Sequence, residues 1–250
     1  DDLEPDTGVM EAWAQEAEDA ARAVDGVTNS EGAEAGWGKY SVALASSNGF
    51  AQAYARSGSS LSVSVIAGSG TEMERDYDYT SAVYASDMMG AQEIGRSAGE
   101  KSVRRLNPRK VESGQVPVVY DPRVSRSIVG HLAGAVSGTA VARGTTFLKD
   151  SLEQEIFPTS VNIIDNPLRK RGLRSKPFDG EGLATKPVNI IENGRLTTWV
   201  MDLRSARQLG LESTGHASRG TSGPPSPSTS NLYLEAGTES PAEIIKNIKA

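Results

Sequence analysis

Two Asn-Gly dipeptides, Asn48-Gly49 and Asn193-Gly194, constrain this chain more than any other local feature. Each lies between segments of strand-like pattern. A two-residue hairpin turn needs positive φ at both positions, which Asn and Gly take with the least strain. The strands on either side therefore run antiparallel. Val42 and Leu44 alternate with small residues before the first turn, and Phe50 to Ala55 reads as the return strand. "LSVSVIAG" sets Leu61, Val63 and Val65 against serines, the pattern of a half-buried strand. "MERDYDYTSAVY" completes an antiparallel meander after a Gly-Ser-Gly turn. Helical periodicity flanks it. Val9, Trp13, Ala17, Ala20 and Val24 recur at steps of three and four, which predicts a helix from Met10 to Val24. A second helix is expected from about Ser86 to Leu106, ended by Asn107-Pro108 because a residue before proline avoids the helical region.

"ESGQVPVVYDP" opens a second unit, so the expected domains are 1–112 and 113–250. Val116 to Tyr120 reads as a short buried strand. Asp121 reads as an N-cap with Pro122 in the first helical position. The helix that follows is expected over about 122–143. Val124, Ile128, Leu132 and Val136 form its apolar face, and Gly130, Gly134 and Gly138 an adjoining stripe. Each interior glycine costs a helix about 1 kcal/mol relative to alanine, so the stripe implies close approach of another backbone. Further on, "SVNIID" and "KPVNIIENGRLTTWVMD" carry strands, "LRSARQLG" a short helix ended by Gly210, and "NLYLEAG" another strand. Residues 213–231 form a long Gly/Pro/Ser loop, of a length that is usually functional or disordered. Ser240 and Glu243 read as a capping box. The whole is α+β and rich in antiparallel sheet.

Composition narrows the chemistry. The 250 residues include no cysteine and two histidines, which excludes disulfide frameworks and thiolate metal sites. Cysteine-free composition suits the cytoplasm. The net charge of −6 disfavours broad nucleic-acid binding, which needs a basic surface. No apolar run is long enough to span a membrane, and no signal peptide is visible. The chain opens on "DDLEPD" and closes inside a helical pattern, as a segment of a longer protein would.

Five residues stand out as candidates for a substrate or interface region: His131, Asp179, Glu181, His216 and Arg219. His131 lies on the seam of the glycine helix. It reads either as a core histidine with one satisfied hydrogen bond or as a metal ligand. A metal helix of the His-Glu-x-x-His kind needs a second donor on the same face, and positions 132, 135 and 136 hold Leu, Ala and Val. "PFDGEG" sets Asp179 and Glu181 two apart, as an acidic turn or as a carboxylate pair near substrate. "STGHASRG" holds His216, Ser218 and Arg219 without a nucleophile elbow. The basic run Arg169, Lys170, Arg171, Arg174 and Lys176 reads as a solvated loop or as a contact for acidic partners. Trp13, Trp37 and Trp199 read as core or interface aromatics.

Several long ordered motifs carry a resemblance. "YDPRVSRSIVGHLAGAVSG", "RGTTFLKD", "RSKPFDGEGLATKP", "IIENGRLTTWVMDLRSARQLGLESTGHASRG" and "PPSPSTSNLYL" resemble the TldD/PmbA family, and within it the PmbA (TldE) branch. The resemblance covers nearly the whole chain. It implies a two-domain PmbA/TldD-like fold, with a mixed N-terminal domain and a β-rich C-terminal one. In the TldD branch the corresponding helix carries His-Glu-x-x-x-His, and a distant cysteine completes a zinc site. Here Leu132 and Val136 stand where the Glu and the second His would be. The resemblance therefore implies no catalytic residue and no metal ligand in this chain. It implies the non-catalytic half of a heterodimeric metallopeptidase, with zinc in a TldD-like partner and unfolded peptides as substrates. Two other readings stand beside it: a metalloprotease in its own right with an atypical metal site, and a regulatory binding protein related to gyrase or to toxin–antitoxin systems.

Overall fold

Asp6 accepts a hydrogen bond from the backbone N–H of Gly8 and starts the first helix, α1 (Thr7–Arg22). The computed structural model describes residues 4–248 and divides into two units, Asp1–Val42 with Ala55–Ser113, and Ala43–Tyr54 with Gly114–Ala250. In chain order α1 is followed by β1 (Val27–Ala45), β2 (Ala51–Ala67), β3 (Glu74–Ala82) and α2 (Ala91–Arg104). The three strands form one sheet in the order β1-β2-β3.

The alternation in β2 decides which face of that sheet the helices cover. Leu61, Val63 and Val65 are buried with Ala17, Ala21, Ile94 and Ala98, while the intervening serines turn away. Burying those three β2 side chains contributes roughly 5–9 kcal/mol of transfer free energy. α2 approaches α1 through Gly95 and Gly99. A Cβ on Gly95 would stand 2.1 Å from the Ala17 carbonyl oxygen, and one on Gly99 would stand 2.6 Å from Val24 Cγ2. On β3, the carboxylate of Asp78 accepts from Ser97 Oγ and pairs with Lys101 Nζ at 2.6 Å. Burial pushes its pKa up, but the Lys101, Ser97 and Tyr79 N–H bonds outweigh that and hold it below the ordinary range.

The two Asn-Gly turns differ. Asn193 (φ 49°) and Gly194 (φ 79°) both take positive φ and join β5 (Val188–Glu192) to β6 (Arg195–Leu196), as the sequence predicts. At the first turn only Gly49 does so (φ 91°). Ser46 N–H donates to the Phe50 carbonyl and Gly49 N–H to the Ser46 carbonyl. That is a three-residue loop ending in a left-handed glycine, not the expected two-residue turn.

In the second unit, α3 (Pro122–Ala135), α4 (Gly138–Ala142), β4 (Ile163–Asp165), β5, β6, α5 (Leu203–Leu209), β7 (Ala217–Ser218), β8 (Ser226–Pro227), β9 (Leu232–Leu234) and α6 (Pro241–Asn247) follow in order. The main sheet is antiparallel, in the order β6-β5-β4-β9. Its core gathers Leu132, Val136, Ile190, Ile191, Leu196, Trp199 and Val200. Asp121 and Ser240 cap α3 and α6 as expected, and Gly210 (φ 67°) ends α5.

Four expectations are corrected here. The segment expected as one helix over 122–143 is two, because Val200 interrupts it. Val200 N–H donates to the Val136 carbonyl at 3.0 Å, and Gly138 N–H to the Val200 carbonyl at 2.8 Å. The backbone groups that would continue the helical ladder are thereby used on another segment. Val116 to Tyr120 forms no strand and is exposed, Val116 at 71%. An apolar run becomes a strand only when a partner edge lies beside it. The glycine stripe is not uniformly close-packed. A Cβ on Gly138 would meet Met201 Cγ at 2.7 Å and Ser205 Oγ at 2.8 Å, whereas Gly130 and Gly134 have nothing within 4 Å. Val124 and Ile128, expected on the buried face, are exposed.

Gly130→Ala and Gly134→Ala should therefore each stabilise the protein by about 0.5–1 kcal/mol, since alanine restricts the unfolded chain and meets nothing in the folded one. Gly138→Ala should destabilise it by about 1–3 kcal/mol. Urea unfolding midpoints decide the matter. Equal losses at all three positions would show that the stripe is packed throughout.

Candidate functional site

The loop at the heart of the second unit is organised by carboxylates that sequence pattern shows only in part. Asp179 is buried, and its Oδ1 accepts from the N–H groups of Glu181 and Leu183, each at 2.9 Å. Its Oδ2 accepts from Ala217 N–H at 3.1 Å. Three backbone donors make this side chain the tie between residues 179–183 and β7. Phe178, beside it, receives Phe50 and Tyr54 edge-on, both at 5.1 Å between centroids. Gly182 (φ 83°) gives Phe50 room, since a Cβ there would lie 2.9 Å from the ring.

Glu181 turns the other way, and its Oε2 accepts from Leu203 N–H at 2.8 Å, at the start of α5. Burial raises its pKa, and the neighbouring carboxylates of Asp179 and Asp202 push in the same direction. The two acids thus occupy different hydrogen-bond sets rather than facing a common ligand.

His216 is the buried histidine, at 3% exposure, and His131 the exposed one, contrary to the core-histidine reading of His131. The His216 ring lies 3.0 Å from Asp165 Oδ2 through Nε2 and 2.9 Å from Thr214 Oγ1 through Nδ1. Asp165, at the end of β4, also accepts from Ser230 N–H at 2.8 Å and Ser230 Oγ at 2.9 Å. A carboxylate can only accept, so the hydrogen bond to Asp165 places a ring proton on Nε2. Hydroxyl, imidazole and carboxylate stand in the order of a hydrolytic triad. Yet Thr214 Oγ1 accepts from Met201 N–H at 2.8 Å, and both ring and acid are sealed from solvent. The arrangement clamps β4, the 214–218 strand region and Ser230 together.

Lys176 joins this cluster. Its Nζ donates to the Ala217 carbonyl at 3.2 Å. Burial lowers its pKa, opposed by the charges of Asp179 and Asp165. It is therefore not part of a wholly solvated basic loop, although Arg169, Lys170, Arg171 and Arg174 are exposed. Arg169 lies over the Tyr233 ring at 5.1 Å. Arg219 is exposed beside Gly180, where a Cβ would come within 3.0 Å of Arg219 Cβ.

Of the five expected site residues, Asp179, Glu181, His216 and Arg219 thus belong to one neighbourhood. No described hydrogen bond or ion pair links His131 to it. Asp165, Thr214 and Ser230 were missed. The one available signal was an acid closing the apolar run "VNIID".

The donor set does not fit a zinc centre. Hydrolytic zinc needs about three protein ligands and a base. No group of three or more His, Cys, Asp or Glu side chains able to hold a metal ion occurs among the described residues. Leu132 and Val136 are core residues at 8% and 1% exposure, not open ligand positions. No described helix is long and apolar enough to cross a membrane.

One groove remains. It lies between α3 and β9, has a volume of about 600 Å³, and includes Arg126, Gly130, Arg174 and Glu235 in its walls.

Comparison with known proteins now decides the family. Residues 1–106 match the PmbA/TldA metallopeptidase central domain, and residues 113–250 the PmbA/TldA metallopeptidase C-terminal domain. The chain belongs to the TldD/PmbA family. Its sequence is 39% identical to Metalloprotease PmbA of Escherichia coli O157:H7 over 218 residues, covering 86% of this chain and 48% of that protein. The chain thus spans about half the length of the curated relatives it matches. A crystal structure of a candidate modulator of DNA gyrase from Bacteroides thetaiotaomicron superposes with a TM-score of 0.88 at 25% identity, over 98% of this chain and 54% of that one. TldE from Thermococcus kodakarensis shares the fold, with a TM-score of 0.82 at 21% identity over 98% of this chain and 56% of that one. The antiparallel-sheet-rich α+β architecture is that of PmbA/TldD proteins.

Proposed function

We propose that this chain is the non-catalytic, PmbA/TldE-type part of a heterodimeric TldD–TldE metallopeptidase of the cytoplasm. A TldD-like partner would hold the zinc, and this chain would help hold an unfolded peptide. The observation that carries the reading is the helix α3. It corresponds to the metal helix of the TldD branch by resemblance, but it presents one exposed imidazole, with Leu132 and Val136 turned into the core. The chain also has no cysteine to complete such a site.

What α3 offers instead is room. A Cβ would meet nothing within 4 Å at Gly130 or Gly134, and the groove toward β9 runs beside Gly130. An edge strand can hold an extended chain through backbone hydrogen bonds, which tolerate many sequences. Mixing the pure chain with a TldD-like subunit and a flexible peptide tests the proposal. Cleavage is expected only from the mixture and should stop with a chelator. Chelator-sensitive cleavage by this chain alone, with stoichiometric zinc bound, would refute the proposal and establish a metalloprotease in its own right.

A further inference from the structure

We infer that Asn48 is a self-modification site, where the chain converts its own asparagine to isoaspartate, while the fold protects the same dipeptide at Asn193-Gly194. The change strikes the turn that seats Phe50 on Phe178. The inference stands apart from the peptide-holding reading and does not depend on it.

The chemistry needs only the chain and water. Hydroxide takes the proton of the glycine N–H, and that nitrogen attacks Cγ of the preceding asparagine. The N–Cγ bond forms, the Cγ–Nδ2 bond breaks, and Nδ2 leaves as ammonia with its own two protons and one from solvent. Water then opens the five-membered imide. Cleaving the new N–Cγ bond gives aspartate, and cleaving the original peptide bond gives isoaspartate, whose main chain runs through Cγ. No group is oxidised or reduced. Glycine favours the attack because no Cβ crowds its nitrogen. The attack also needs rotation about the asparagine Cα–C bond, so the peptide plane that follows must be free to turn.

The two dipeptides differ in that freedom. Gly194 is buried, and its N–H donates to the Val161 carbonyl at 2.9 Å. Its own carbonyl accepts from Ile156 N–H at 2.9 Å and from Phe157 N–H at 3.1 Å. Asn193 N–H donates to Asn162 Oδ1 at 2.8 Å. A Cβ on Gly194 would lie 2.2 Å from the Phe157 carbonyl oxygen, so the backbone there has no room to turn. Asn48 and Gly49 are both exposed, and a Cβ on Gly49 would meet nothing within 4 Å. The Gly49 N–H donates to the Ser46 carbonyl at 3.1 Å, a bond that stays within the turn. The tip can therefore open without disturbing another segment, which costs far less than opening a buried, multiply bonded turn.

The consequence falls on the next residue. Phe50 N–H donates to Asn48 Oδ1 at 3.1 Å, and the Phe50 ring meets Phe178 edge-on at 5.1 Å. In isoaspartate that oxygen becomes a main-chain carbonyl, the turn gains one backbone atom, and a new carboxylate stands beside it. Phe50 then loses the local bond that fixes its approach to Phe178.

The test ages the full chain in mildly alkaline buffer, once native and once in urea. Peptide mass spectrometry and methyl transfer by an isoaspartate-specific carboxyl methyltransferase read the products. Native Asn48 should convert at least about ten-fold faster than native Asn193. In urea the two should agree within about two-fold, because the dipeptide is the same and the fold is gone. Asn162→Ala should raise the native rate at Asn193 and leave that at Asn48 unchanged. The aged protein should lose about 2–4 °C of thermal midpoint, and aged Asn48→Ser should lose none. Equal native rates at the two sites, an unmodified Asn48, or the same difference persisting in urea would overturn the inference. So would a fully converted Asn48 with an unchanged midpoint, or an Asn193 rate that Asn162→Ala leaves as it was.

Discussion

Asp165→Ala lowers the stability of the second unit by about 3–5 kcal/mol, the cost of leaving three buried donors without their acceptor. The reason is the number of groups left behind. Asp165 is fully buried, and its removal orphans the Ser230 N–H, the Ser230 hydroxyl and the His216 ring N–H together. Each orphaned donor costs about 1–3 kcal/mol when water cannot reach it. Trp199, buried in the same unit, reports the transition in urea. Asp165→Asn should lose less, because the amide oxygen can still accept from Ser230 while the ring must change tautomer. A midpoint for Asp165→Ala within about 1 kcal/mol of the parent would mean that the network closes no loops.

Gly95→Val should cost the first unit about 3 kcal/mol or more. The added side chain would begin at a Cβ 2.1 Å from the Ala17 carbonyl oxygen and 2.9 Å from Ala20 Cβ. A backbone atom cannot swing aside as a side-chain tip can, so α2 must lift from α1. That exposes Ala17, Ala21, Ile94 and Ala98, which are all buried. Gly130→Val is the control. It is also helical, but open space surrounds it, and its effect should stay within about 1 kcal/mol. Thermal unfolding of both variants separates a glycine required by packing from one that is not. Similar losses would remove the distinction.

Those two glycines show how far a single sequence can be read. The pattern marked Gly130, Gly134 and Gly138 as a stripe and passed over Gly95 and Gly99, spaced identically on α2. Only Gly138 in the stripe meets another segment, while both α2 glycines do. Spacing reports that three residues share a helix face, not what stands opposite them. The histidines repeat the point. His131 sits on an apolar-looking helix and is exposed, whereas His216 sits in a Gly/Ser/Pro loop and is buried. Its burial depends on Asp165, 51 residues away, which is itself bonded to Ser230, 65 residues further along. No local window contains both ends of such a bond. Val116 to Tyr120 failed as a strand for the same reason, since pairing needs an edge that the run cannot supply alone.

Features set by a few adjacent residues were fully legible. The Asn193-Gly194 turn, the Asp121 and Ser240 caps, the Gly210 stop and the Leu61–Val63–Val65 face depend on backbone preference and side-chain period, which act within one or two turns of chain. The lack of cysteine is read from residue types alone. The tertiary structure alone decided where Val200 splits the glycine segment, which acids are sealed inside, and that an open trough separates α3 from the β9 edge. Burial and close approach are relations between distant segments, and they come into being only when the chain has folded.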